Sequence, residues 1–266
     1  MTKAKWLACT DPTPMLKVLR DKASDRKLRL FVCACCRRIW HLLEDERSRQ
    51  AVEAAESFAE GRKGHVELGV AAEAAGVASL AAGAGWLAAS AAWQVTLPEI
   101  SVQREWEADE YSSSALVLHD LWKQGSAAEA AGYAADAVAS SAVDGPPARD
   151  IPKQIAEATW NRVRASERKR QAQLLRCIFG NASRPAPADP TWRTPTTVSL
   201  ATAAYEDRNL PSGHLDPDRL AVLSDALEDA GCDSADILAH LRGPGPHVLG
   251  CWVVDLILGK ERSRWC

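Results

Sequence analysis

Alanine is the feature that most narrows what this chain can become. Forty-seven of its 266 residues are Ala, against three Phe and three Tyr. Alanine is the best helix former, while the β-branched and aromatic runs that build sheets are scarce. With 47% hydrophobic residues a sizeable core is affordable, and general disorder is excluded. The expectation is an all-α protein: a multi-helix, Ala-rich bundle with a smaller C-terminal helical unit.

Local signals divide the chain accordingly. Asp11 before Pro12 reads as an N-cap and first-turn proline, and Ser24 as the cap of a helix reaching Leu43. Leu28, Phe31, Val32, Cys35, Ile39 and Leu42 then share one face. Further helices are predicted over 51–59, 66–95, around Leu116–Trp122, and over 126–143 and 152–179. Pro185, Pro187, Pro190 and Pro195 mark a connector. The predicted organisation is an N-terminal bundle over 1–182, the connector at 183–195 and a C-terminal unit over 196–266. In that unit helices are expected at 198–205, 216–230 and 233–241, with Asp233 and Asp236 as a variant capping box. The run 248–258 is a buried helix or a strand.

The tail LSDALEDAGCDSADILAHLRGPGPHVLGCWVVDLILGK, with IFGN upstream and the N-terminal RKLRLFVCACCRRIWHLL, resembles a widespread family of uncharacterised bacterial proteins. Together these segments cover about a third of the chain. The resemblance implies kinship and no known activity, cofactor or partner. Two departures stand out: Leu241 occupies a position that is Cys in the family pattern, and IFGNASRP replaces a more apolar FGNPFRP.

Eight Cys, with no apolar export segment among the first residues, read as reduced thiols, and a cytoplasmic location is expected. The uncharged run 74–93 is too rich in Ala, Gly and Ser to drive membrane insertion, so no membrane partner is expected. The strongest chemical hint is sulfur with imidazole. Cys33 and Cys36 share a helix face, and His247 and Cys251 flank a Gly-containing turn; the four could close a tetrahedral zinc site. Against this, free thiols are usually small core hydrophobes. Cys36 beside Arg37 and Arg38 could also be a reactive thiolate. His240 lies four residues after Asp236, the spacing of a surface Asp–His pair.

No Glu-x-x-His, HExxH, GxSxG or P-loop motif is present, which argues against catalysis. The acidic cluster Glu105, Glu107, Asp109 and Glu110 reads as a solvated loop. The overall charge of −3 excludes a wholesale polycation. Two helices are nonetheless basic, through Arg26, Lys27, Arg29, Arg37 and Arg38 in one and Arg162, Arg164, Arg168, Lys169 and Arg170 in the other. Aligned, they could contact nucleic-acid phosphates. Trp40, Trp86, Trp93, Trp122, Trp160 and Trp252 fall on helical patterns and are expected in the core. The favoured reading is a non-catalytic interaction or scaffold protein with a protein partner or self-association. The metal- or thiol-dependent and nucleic-acid readings are alternatives.

Overall fold

The computed structural model describes residues 1–19, 22–82, 85–96, 127, 130–143, 152–181 and 189–260. The chain is all-α: the described residues form helices and turns, with two isolated β-bridges, Asn209–His214 and His214–Val248, and no strand. Among them no helix is long and apolar enough to cross a membrane. The acidic cluster at 105–110 and the helix expected around Leu116–Trp122 lie outside the described residues.

Two compact units divide the chain: residues 11–171 form one, and residues 1–10 with 172–266 form the other. The larger unit contains α2 (Pro12–Val18), α3 (Asp25–Arg38), α4 (Glu46–Ala59), α5 (His65–Ala81), α6 (Trp86–Gln94), α7 (130–143) and most of α8 (Lys153–Phe179). The caps anticipated for α2 and α3 are present: Asp11 accepts the Thr13 N–H, and Ser24 accepts that of Lys27. Leu30, Phe31, Cys33, Cys35 and Cys36 of α3 and its C-cap Ile39 are fully buried, as are Ala51, Val52 and Ala55 of α4. Where the pattern predicts one helix over 66–95, the chain forms two, α5 ending at Ala81 and α6 beginning at Trp86. Gly76 of α5 faces the Trp93 ring of α6, where a Cβ would sit 3.3 Å from the indole nitrogen. Small side chains thus let the two helices nest.

The indoles are less buried than expected. Trp86 is 48% and Trp93 36% exposed, and Trp40, Trp160 and Trp252 are half-buried. Trp86 instead packs edge-on against Tyr133, and Trp40 lies beneath the Arg37 guanidinium. An indole is too large for the gap between two Ala-rich helices at close approach, so it rides on the rim. Trp6, which no periodicity flagged, is buried to 1%.

The second unit is built from α1 (Lys3–Ala8), the end of α8, α9 (Pro195–Glu206), α10 (Pro217–Asp229), α11 (Ala235–Leu241) and α12 (Trp252–Leu258). Its core gathers Leu174, Leu175, Ile178, Leu220, Leu223, Leu227, Ile237, Val253, Val254 and Ile257. The helix α1 is tied down at both ends. The Trp6 indole donates to the Gly180 carbonyl at 2.8 Å, Arg176 donates to the Cys9 carbonyl at 2.9 Å, and Lys3 pairs with Asp236. The capping box expected at Asp233 does not form; Ser234 is the N-cap of α11 and makes no side-chain cap bond. The ambiguous run 248–258 is α12, preceded by the Val248 bridge.

Candidate metal centre

Four elements of the second unit deliver one donor each to a common point. Cys177 lies in the last turn of α8, His240 in the last turn of α11, His247 in the Gly-Pro-Gly-Pro loop that follows, and Cys251 at the N-cap of α12. Their ligand atoms all lie within 4.8 Å of one another. The Nε2 atom of His240 is 3.2 Å from Sγ of Cys251. For comparison, the S···N edge of a tetrahedral zinc site is about 3.6 Å, from usual bond lengths of about 2.3 and 2.05 Å. An ion would therefore need only about 1 Å of contraction from the widest pair.

His247 carries the clearest sign of a ligand. Its ring is buried to 4%, and Nε2 meets the Gly243 carbonyl at 3.1 Å. In the neutral ring that bond puts the proton on Nε2 and leaves the lone pair on Nδ1. Nδ1 is buried and has no hydrogen-bond partner. An orphaned buried nitrogen is costly unless something else occupies its lone pair. The loop holds the ring in place: Gly245, at φ +76°, packs so closely that a Cβ there would approach His247 Cδ2 to 3.0 Å. The two imidazoles meet edge to face at 4.8 Å, and Trp252 lies 5.4 Å from His240.

Electrostatics distinguishes Cys251 from the thiols of α3. Burial pushes the Cys251 thiol up, but the hydrogen bond from Cys177 and the two imidazoles outweigh it and hold it well below the usual range. The His247 imidazolium is disfavoured by burial, yet the Cys251 sulfur and the Gly243 carbonyl raise its value overall. Cys33, Cys35 and Cys36 move the opposite way. Desolvation raises all three, and Cys36, beside Glu56, is pushed up to about 12.

Two of the four residues singled out from sequence, His247 and Cys251, thus belong to the cluster. Cys33 and Cys36 lie in α3 of the larger unit, buried in its core, with the Cys33 sulfur 3.9 Å from the Val52 carbonyl. Nor is Cys36 activated by its arginine neighbours. Arg37 makes a bidentate pair with Glu56, at 3.0 and 2.8 Å, and Arg38 one with Glu167, at 2.6 and 2.7 Å. Cys177 and His240 complete the cluster unforeseen. His240 does not pair with Asp236, which bonds Lys3, but turns inward to Cys251.

The basic residues of α3 and α8 are largely engaged. Arg26 pairs with Glu60, Arg37 with Glu56, Arg38 with Glu167, Arg164 with Asp136, Arg168 with Asp11, and Arg170 reaches Glu167 at 4.0 Å. Lys27 is buried and Arg29 donates to the Val95 carbonyl, while Arg162 and Lys169 are exposed. No protein-family model, curated protein or solved structure matches the chain.

Proposed function

We propose that this chain is a zinc-binding helical protein, with the ion held by Cys177, His240, His247 and Cys251. The observation that carries the reading is the orphaned Nδ1 of His247 in a four-donor cluster of which Cys177, His247 and Cys251 are buried and His240 half-buried. Two sulfurs and two imidazoles suit zinc, a borderline-soft ion that accepts tetrahedral geometry without preference from its d electrons. Four protein ligands close the shell and leave no position for substrate, so the role is structural and non-catalytic. The ion would fasten the end of α8 to α11, the Gly-Pro loop and α12. Three of its ligands fall in the tail that resembles the bacterial family named above. Elemental analysis of purified protein tests this: one zinc per chain is expected, falling below a tenth in Cys177→Ala. Metal-free parent protein prepared without chelator, unable to take up zinc or cobalt, would sink the reading.

A second reading, compatible with the first, is an interaction or scaffold role. It is favoured by α5, whose Val66, Val70, Val77 and Leu80 are 79%, 64%, 56% and 91% exposed. Their spacing of four, seven and three residues lays them along one stripe. Sedimentation of the parent and of Leu80→Glu checks whether the stripe mediates self-association, which the added charge should abolish.

A further inference from the structure

Cys251 is an N-cap without the usual cap: its side chain accepts no bond from the first turn of α12, and its sulfur faces the donor cluster. The corner that aims it is held from elsewhere. Tyr205, on α9 and 6% exposed, places its hydroxyl among three groups of this corner. The hydroxyl oxygen accepts the Gly250 N–H at 3.2 Å. The hydroxyl proton has two acceptors in reach, Oδ1 of Asp255 at 2.7 Å and the Cys251 carbonyl at 3.3 Å. The shorter, charged acceptor is favoured. Asp255 is itself 1% exposed, and its own N–H returns to the Cys251 carbonyl at 2.9 Å.

The backbone of residues 250 and 251 sets the direction of the Cys251 Cα–Cβ bond. Gly250 sits at φ +89°, a conformation that side-chain-bearing residues rarely adopt, and glycine also has the widest alternative freedom there. Something must therefore hold the turn. The phenol grips the N–H just before Cys251, lies against its carbonyl, and is fixed by a carboxylate one turn further along the same helix. The Lys260 ammonium over the Tyr205 ring, 5.0 Å from its centroid, covers this arrangement.

We infer that Tyr205 and Asp255 are positioning residues for the metal centre, holding the Gly250–Cys251 corner so that the Cys251 sulfur meets the ion. This rests on the zinc reading above. Partners of this kind, which orient a ligand without touching the metal, typically change affinity by about 10–100-fold when removed.

The test uses the full chain, with Zn²⁺ titrated against a competing chelator and Co²⁺ as a spectroscopic probe. Tyr205→Phe keeps the ring and removes the hydroxyl. It is expected to weaken Zn²⁺ binding about 10–100-fold and to shift the Co²⁺ d–d and thiolate charge-transfer bands, with the helical content of the metal-free protein unchanged. Affinity within about two-fold of the parent, with unmoved Co²⁺ bands, would overturn the inference while leaving the site intact. If Tyr205→Phe loses helical content without metal, Asp255→Asn decides by the same two readouts. That variant retains an acceptor of equal shape and should lose several-fold in affinity, because a neutral acceptor fixes the phenol less firmly. A parent chain that takes up neither ion removes the site, and the positioning role with it.

Discussion

His240 and Cys251 stand eleven residues apart, yet an imidazole nitrogen and a sulfur meet at 3.2 Å. The Gly-Pro-Gly-Pro loop makes this approach, returning the chain from the end of α11 to the start of α12. Zinc that binds the folded state alone stabilises it by RT ln(1 + [Zn]/Kd), about 4 kcal/mol at a thousand-fold excess over Kd. Addition of a chelator should therefore lower the melting temperature of the parent. In His240→Ala the same addition should change little, because the ion is already lost. Paired thermal melts, with and without chelator, give the comparison.

The bidentate pair of Arg38 and Glu167 joins α3 to α8 within the larger unit, with the Glu167 side chain only 2% exposed. Removing one partner strands a buried charge, which costs about 3–5 kcal/mol. Glu167→Ala should lower the denaturation midpoint accordingly. Replacing both residues with apolar ones of similar volume, Arg38→Met with Glu167→Leu, should recover most of the loss. The pair also bears on nucleic acid. Arg38 is already neutralised, so its loss should leave the salt dependence of any DNA or RNA binding unchanged, as a filter-binding titration would show.

Acid should act on α2 through Asp11. Burial pushes this carboxyl up, but the Thr13 N–H it caps and the Arg168 guanidinium outweigh burial and hold it below the ordinary range. A depressed folded-state value means that stability is fully present above the unfolded value, about 3.9, and is lost as pH falls through the folded one. Asp11→Asn should therefore be less stable than the parent at pH 7. The difference should close between about pH 5 and pH 2, followed by denaturant titration at each pH. The group is half exposed to solvent, so the effect should be small and should shrink with added salt.

Much of the helical architecture was legible because it is written in local rules. Asp11 and Ser24 cap where capping chemistry says they should, but α3 stops at Arg38, short of Leu43, and is buried all round from Leu30 to Arg37, so the single face from Leu28 to Leu42 understates its burial. The site was half legible. His247 and Cys251 lie four residues apart around a glycine turn, so their convergence is a local event. Cys177 comes from a helix end more than sixty residues upstream, and only the packing of residues 172–179 with the tail in one unit brings it in. His240 offered a misleading local partner in Asp236, and the choice between facing outward and inward was made by the return of the loop. Cys33 and Cys36 had the right spacing and the wrong environment. An α3 face packed on α4 buries both thiols with no imidazole beside them among the described residues. Gly180, three residues beyond Cys177, marks a helix stop by its residue type, which says nothing of a site.

Gly180 ends α8 at φ +57°, where its carbonyl accepts the Trp6 indole N–H at 2.8 Å. Its α-carbon lies against Trp252, so closely that a Cβ would fall 2.9 Å from the indole Cγ. Trp252 in turn lies beside His240 and directly follows Cys251. Gly180→Ala must therefore meet two costs: a left-handed backbone that a β-carbon disfavours, and a clash with backbone-anchored aromatic carbon. Together these should destabilise the protein by on the order of 2 kcal/mol. Relief of the clash moves Trp252 away from α8, and with it the α12 N-terminus that carries Cys251. The variant should accordingly bind zinc more weakly than the parent and show altered indole emission on metal addition. Gly180→Asn provides the control. Asparagine tolerates the left-handed conformation better but brings the same Cβ, so it should recover the backbone part of the stability loss while the zinc affinity stays low. Equal zinc affinity in Gly180→Ala and the parent would show that the Trp252 contact does not govern the site.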